Sequence, residues 1–196
     1  MKTSSLLTGA FLFIAFSGVH ATPEPANPAK QTQWKLYVDA TEAYEMKQKL
    51  GDKVLFVDVR DPIEIMFTGY TDAVDINIPY KLANRDEWNP KKPVFKMETN
   101  PMFEQQIAAA LEERGMDKNS PIILMCRSGG TRGAPSANSL WGKGYKQVYV
   151  VTDGFEGGKI KTGAQKNWRL KNGWKNSGLP WSYKLNKEKI HLPSEG

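Results

Sequence analysis

Three continuous apolar runs stand out along the chain: residues 53–59 (KVLFVDV), 121–125 (PIILM) and 147–152 (QVYVVT). A shorter fourth lies at 73–78 (AVDINI). Unbroken runs rich in Val, Ile and Leu, rather than alternating ones, mark strands buried on both faces, as in parallel sheets. Tyr37 and Val38 add a short edge strand. Between these runs the pattern turns helical. Asp39 or Thr41 can cap a helix running to about Leu50, which Gly51 stops. Asp61 and Pro62 open a short helical turn, and residues 69–72 form a turn. Pro101 sits at a first helical position, Met102, Phe103, Ile107, Ala110 and Leu111 follow at helical spacing, and Gly115 ends that helix. Residues 134–143 read as a further helix closed by Gly144. Residues 80–100 are polar and rich in Lys, Asn and Pro, the composition of a long surface connection. Strands alternating with helices predict an α/β fold around a mostly parallel sheet.

The ends of the chain change this picture. Lys2, the apolar residues 6–16 and the Val19-His20-Ala21 sequence make a signal peptide over residues 1–21. The apolar run is short of the ~20 residues a membrane span needs. The protein is therefore expected to be exported, to the periplasm, with no membrane attachment once the signal is removed. Residues 22–33 (TPEPANPAKQTQ) read as a flexible leader. The folded domain is expected over 34–158. Residues 159–196 carry Trp168, Trp174 and Trp181 among Gly, Asn and Lys, an extension expected to pack on the domain.

Composition bounds the chemistry. A net charge of +6 at pH 7 over 196 residues, with a mean hydropathy of −0.52, describes a soluble, basic surface suited to small anions or an acidic partner. No nucleic-acid-binding motif is present. There is one cysteine, Cys126, so no internal disulfide can form. Of two histidines, His20 leaves with the signal and His191 lies in the polar tail. Cys-His and Ser-His schemes and ordinary zinc sites are excluded within one chain, and no metal or cofactor is expected.

The run 121–125 delivers Cys126 to the carboxyl edge of the sheet, where open α/β sheets place their sites. Arg127, Ser128, Gly129, Gly130, Thr131 and Arg132 follow at once. Glycines let such a loop curl until successive N–H groups face one centre, an anion nest. Neighbouring arginines and the start of a helix favour a thiolate over a thiol there. The same surroundings suit a terminal persulfide sulfur or an oxyanion.

At these residues the chain resembles the rhodanese family. The resemblance is carried by VLFVDVRDPIEIMFTGYTDAVDINIP (54–79), PIILMCRSGGTR (121–132) and GYKQVYVVTDGFEGG (144–158), in the family's order and spacing. It implies an open, mostly parallel five-stranded sheet flanked by helices and thiosulfate sulfurtransferase-like activity without a cofactor. Cys126 matches the sulfur-accepting cysteine, and 127–132 match the substrate-binding loop. Asp58 and Arg60 match a motif read as structural, and Asp153 lies in the turn that walls the pocket. The implied reagents are small anionic sulfur compounds as donors and a thiol, cyanide or a protein as acceptor. Thr131 stands where many family loops carry arginine, with Arg132 one place later.

Two other readings remain open. The first is a sulfur carrier, oxyanion-binding module or redox sensor with negligible turnover. The second is a phosphatase or arsenate reductase, because Cys126 and Arg132 satisfy the Cys-x5-Arg spacing. Against it, Met125 stands where such enzymes usually carry histidine, and only Asp153 offers itself as a general acid.

Overall fold

A computed structural model describes residues 22–192; the expected signal peptide lies outside them. Seven strands and four α-helices follow in order: β1 (Tyr37–Val38), α1 (Ala40–Leu50), β2 (Leu55–Asp58), α2 (Pro62–Thr68), β3 (Ile76–Asn77), β4 (Lys81–Trp88), β5 (Phe95–Thr99), α3 (Phe103–Glu112), β6 (Pro121–Met125), α4 (Gly133–Ser139) and β7 (Gln147–Val151). Five of the strands form one sheet in the order β1-β7-β6-β2-β3, with every pairing parallel.

The alternation of side chains along each strand divides the core. Leu55, Val57, Ile122, Leu124, Val148 and Val150 face α3 and α4. Phe56, Ile123, Met125 and Val151 face α1, α2 and the C-terminal Trp174. With both faces covered, the strands must be apolar throughout, which explains the continuous runs. Of the two caps open to helix α1 the structure uses Asp39, not Thr41: Asp39 accepts from the Glu42 amide, Glu42 accepts from the Asp39 amide, and Gly51 ends the helix at φ 55°.

Several elements depart from expectation. Only Ile76 and Asn77 of residues 73–78 pair in the sheet. The carboxylate of Asp75 is drawn aside, accepting from the Phe56 amide at 2.7 Å and pairing with Lys47 at 2.7 Å. Residues 80–100 are no open connection but hold an antiparallel ribbon, β4 with β5. Its pairing is backbone-made and its side chains stay largely in water, so no apolar alternation reveals it. Trp88 and Phe95 pack across its tip, ring centroids 5.6 Å apart. Helix α3 begins at Phe103, two residues after Pro101, because the Asn100 side chain accepts from the Met102 amide and makes an Asx turn ahead of it. Helix α4 stops at Ser139, after which Leu140 and Trp141 make tighter i→i−3 bonds.

Both flanking segments are tied down. Residues 22–33, expected to be a flexible leader, lie against the start of the domain. Lys30 donates to the Ser128 carbonyl at 3.2 Å, and the Asn138 side chain of α4 accepts from the Gln33 amide and donates to the Gln31 carbonyl. Trp34 packs edge-on against Trp141. In the C-terminal extension Trp174 is wholly buried between Tyr44 and Phe56 and donates to the Pro180 carbonyl. Trp181 packs on Phe155. Trp168 behaves differently: 59% of it stays exposed.

Candidate active site

Strand β6 ends at Met125 and places Cys126 at the carboxyl edge of the sheet, as expected. The peptide backbone around it is pinned. The Cys126 carbonyl accepts from the Phe155 amide and the Arg127 carbonyl from the Glu156 amide, both at 2.8 Å. Two glycines permit this closeness. At Gly154 (φ 66°) a Cβ would lie 2.4 Å from the Cys126 carbonyl oxygen. At Gly129 (φ 61°) it would lie 1.7 Å from the Thr152 carbonyl oxygen. No other residue type fits either place.

The sulfur lies low. Cys126 is 2% exposed, packed with the core face that includes Ala137 and Val150, with its Sγ against Gly133 at the start of α4. Above it the loop is poor in internal bonds. Among the described residues, the amides of Arg127, Ser128, Gly129, Gly130, Thr131 and Arg132 donate to no protein acceptor. Six consecutive unpaired amides are unusual for a partly buried loop, because an unsatisfied N–H is costly away from water. They are left for an acceptor that the chain itself does not supply. The Thr131 side chain is exposed and Ser128 is half-buried.

Both arginines of the loop already hold a carboxylate. Arg132, nearly buried, makes a bidentate pair with Glu64 of α2, one arm at 2.8 Å. Arg127 pairs with Glu156, just after the 153–155 turn. Burial works against ionisation of Glu64, but the Arg132 hydrogen bond and charge outweigh it, and the carboxyl is held below its ordinary range. Arg132 answers in kind: burial opposes its charge, yet Glu64, Cys126 and Asp58 hold its proton more firmly than usual. Sequence reasoning missed both carboxylates. They lie 68 and 29 positions from their partners, and no local pattern links residues so far apart.

Asp58 and Arg60 form a buried ion pair at the sheet edge. Both side chains are fully buried, and Arg60 donates to Asp58 at 2.9 and 2.5 Å, to Thr68 at 2.7 Å and to the Gly69 carbonyl at 3.1 Å. Asn77 braces the same strand end by donating to the Asp58 and Arg60 carbonyls. Asp153 is equally committed. One oxygen accepts from the Ala40 amide at 3.0 Å and the other from the Gly173 amide at 2.9 Å, tying α1 to the C-terminal extension. Burial, with the Asp39 charge adding to it, pushes its carboxyl up to about 6. With both oxygens occupied by backbone, Asp153 makes a poor general acid.

A cleft of about 460 Å³ opens beside the loop, walled by Arg127, Glu156 and residues of the C-terminal extension.

Comparison with known proteins agrees with this architecture. The family model for the rhodanese-like domain matches residues 39–161. An uncharacterized protein of Rickettsia prowazekii is 30% identical over 145 residues, covering 74% of this chain and 94% of that one. The crystal structure of Rv0390 from M. tuberculosis superposes with a TM-score of 0.53 at 27% identity, covering 76% of this chain and 97% of that one. The solution structure of a polysulfide-sulfur transferase homodimer from Wolinella succinogenes is a looser likeness. Its TM-score is 0.44 at 18% identity, with 86% of this chain and 85% of that chain covered.

Proposed function

This chain belongs to the rhodanese-like domain family, and on that premise we propose that it takes up sulfane sulfur as a persulfide on Cys126 and passes it to a second thiophile. The Cys126 thiolate attacks the outer sulfur of thiosulfate, a polysulfide or an organic persulfide. The S–S bond of the donor breaks, its electron pair leaves with the departing anion, and Cys126 becomes Cys–S–S⁻. A thiol, cyanide or a protein acceptor then attacks the terminal sulfur and restores the thiolate. No electron is gained or lost overall, and no metal or organic cofactor enters either step.

One observation carries this reading: the six unpaired amides, Arg127 to Arg132, that follow the only thiol. Such donors stabilise a negative sulfur without a full counter-charge. With no second cysteine in the chain, nothing within it can resolve the persulfide to a disulfide. Residues 1–21, with the pattern of a signal peptide, support export and a periplasmic place of action.

A carrier with negligible turnover is the second reading. The 2% exposure of Cys126 and the neutralised arginines favour it, since both slow the approach of a free anion. Intact-mass spectrometry of wild type and Cys126→Ser after exposure to thiosulfate and to polysulfide tests the proposal, with cyanolysis followed in parallel. Gain of one sulfur mass by wild type alone is expected. Absence of any adduct with every donor overturns the proposal, and an adduct without turnover selects the carrier.

A further inference from the structure

Three successive carbonyl groups of the thiol loop are each held by a donor from elsewhere in the chain. Those of Cys126 and Arg127 accept from the backbone amides of Phe155 and Glu156. That of Ser128 accepts from the Lys30 ammonium at 3.2 Å, and no other donor among the described residues reaches it. All three peptides are trans. In a trans peptide the C=O of one residue and the N–H of the next point in opposite directions. Holding the three carbonyls therefore sets the direction of three of the unpaired donors, the amides of Arg127, Ser128 and Gly129.

The third peptide is the one that most needs holding. Gly129 follows it, and glycine takes positive and negative φ about equally readily. Turns of types I and II differ by a half-rotation of just such a peptide, with φ of the following residue changing sign. Gly129 stands at φ 61°. Rotation of the Ser128–Gly129 peptide would carry its N–H to the other side of the loop at little cost to the glycine itself. The bond from Lys30 exists in only one of the two orientations. The first two carbonyls are held by backbone, which any sequence supplies; the third depends on one side chain.

Lys30 is delivered by a built segment. Pro28–Lys30 form a single 3-10 turn, and the Asn27 side chain caps it by accepting from the Ala29 amide at 3.0 Å. Beyond the turn, the Thr32 amide donates to the Tyr37 hydroxyl at 2.8 Å, and the Trp34 indole donates to the Ala137 carbonyl of α4 at 3.2 Å. Asn138 of α4 holds the backbone of Gln31 and Gln33 between them. Helix α4 starts where the thiol loop ends, so the strap and the loop are anchored on the same helix. Lys30 has no carboxylate partner among the described residues, and its ammonium is committed to the Ser128 carbonyl. It lies ahead of residues 39–161, the span of the family match.

We propose that Lys30 is a positioning residue of the thiol loop: it fixes the Ser128–Gly129 peptide so that the Gly129 N–H serves the negative sulfur. The inference rests on the sulfur-transfer reading for what that donor serves, while the orientation of the peptide stands by itself. Lys30 acts through the peptide and takes no part in the bond changes at sulfur.

Two measurements on the full chain test this. The HN–Hα couplings of Gly129, read by NMR, follow its φ. Intact mass follows the rate at which Cys126 gains sulfur from polysulfide. Lys30→Met keeps an unbranched stem and loses the donor. Its couplings are expected to move toward averaged values and its loading to slow about ten-fold, the worth of one hydrogen bond to a charged group. Lys30→Arg, which restores a cationic donor, should return both to near wild type. Lys30 is only half-buried, so melting should change little, and Lys30→Gln takes the place of Lys30→Met if the latter melts early. Unmoved couplings overturn the proposal whatever happens to loading, since Lys30 then does not orient the peptide. Moved couplings with loading still at the wild-type rate overturn it as well, and leave the transfer reading standing. If wild type takes up no sulfur from any donor while the couplings move as expected, the transfer reading fails and the orienting role of Lys30 stands.

Discussion

The guanidinium of Arg60 lies 4.1 Å from the centroid of the Phe155 ring. Phe155 in turn donates its amide to the carbonyl of Cys126. A buried ion pair thus props the turn that pins the thiol loop, although neither Asp58 nor Arg60 approaches a substrate. Replacing Arg60 by Met leaves the Asp58 carboxylate buried and unpaired, at a cost of ~3–5 kcal/mol. Urea denaturation should show that loss, and sulfur loading should fall with it.

Gly129→Ala tests how tightly the loop is set. The left-handed backbone alone costs a non-glycine residue ~1–2 kcal/mol, and the new methyl would press on the Thr152 carbonyl oxygen, 1.7 Å away. The loop must move off β7. Thermal melting should drop, and loading of Cys126 should fall further than in a core variant of equal melting temperature.

Glu64→Gln frees Arg132 from its charged partner. Loading by thiosulfate is expected to reach half-rate at roughly ten-fold lower donor concentration, one charge-assisted pair being worth about that factor. The substitution also alters the acid limb of stability. Because the folded protein holds Glu64 below its ordinary value, the pair stabilises above about pH 4.5 and that contribution is lost as pH falls through the folded value. Glu64→Gln should therefore be less stable at neutral pH and flatter in acid, read from denaturation midpoints across pH.

Asp153 has the opposite sign. Its folded carboxyl sits at about 6 against an ordinary 3.8, so the folded state holds the proton more tightly. Its contribution is full below the ordinary value and is lost as pH rises through about 6, an effect of order 3 kcal/mol. Asp153→Asn should lower stability overall, since one of the Ala40 and Gly173 amides would then face an NH₂ group. It should also flatten the pH dependence between about 4 and 6.

Trp174→Ala removes the largest fully buried side chain, from the core face shared by Phe56 and Tyr44. A loss of ~3–5 kcal/mol is expected, as for other large-to-small core changes. Trp168→Ala, in the exposed wall of the cleft, should leave melting nearly unchanged.

What the sequence made legible follows from how each feature is encoded. The buried strands write themselves as apolar runs, and α1 carries its own start and stop in Asp39 and Gly51. Cys126 and its glycines announce a loop because local backbone geometry demands them. The β4–β5 ribbon escaped because its stability is in peptide hydrogen bonds, which any side chain permits. Glu64 and Glu156 escaped for another reason: a carboxylate on a helix or turn reads as solvated surface until the fold brings an arginine to it. Trp174 and Trp168 look alike as letters, and only the packing of Tyr44 and Phe56 tells one from the other.

Lys30 reaches the Ser128 carbonyl 98 positions further along the chain, and Trp174 enters the core from beyond residues 39–161, the span of the family match. The matched span and the packed structure are therefore different lengths. A protein trimmed to the matched residues 39–161 would keep the sulfur atom and its loop, yet forfeit the strut on one side and the keystone on the other. The surroundings of the thiol are thus completed by chain from both sides of the matched span.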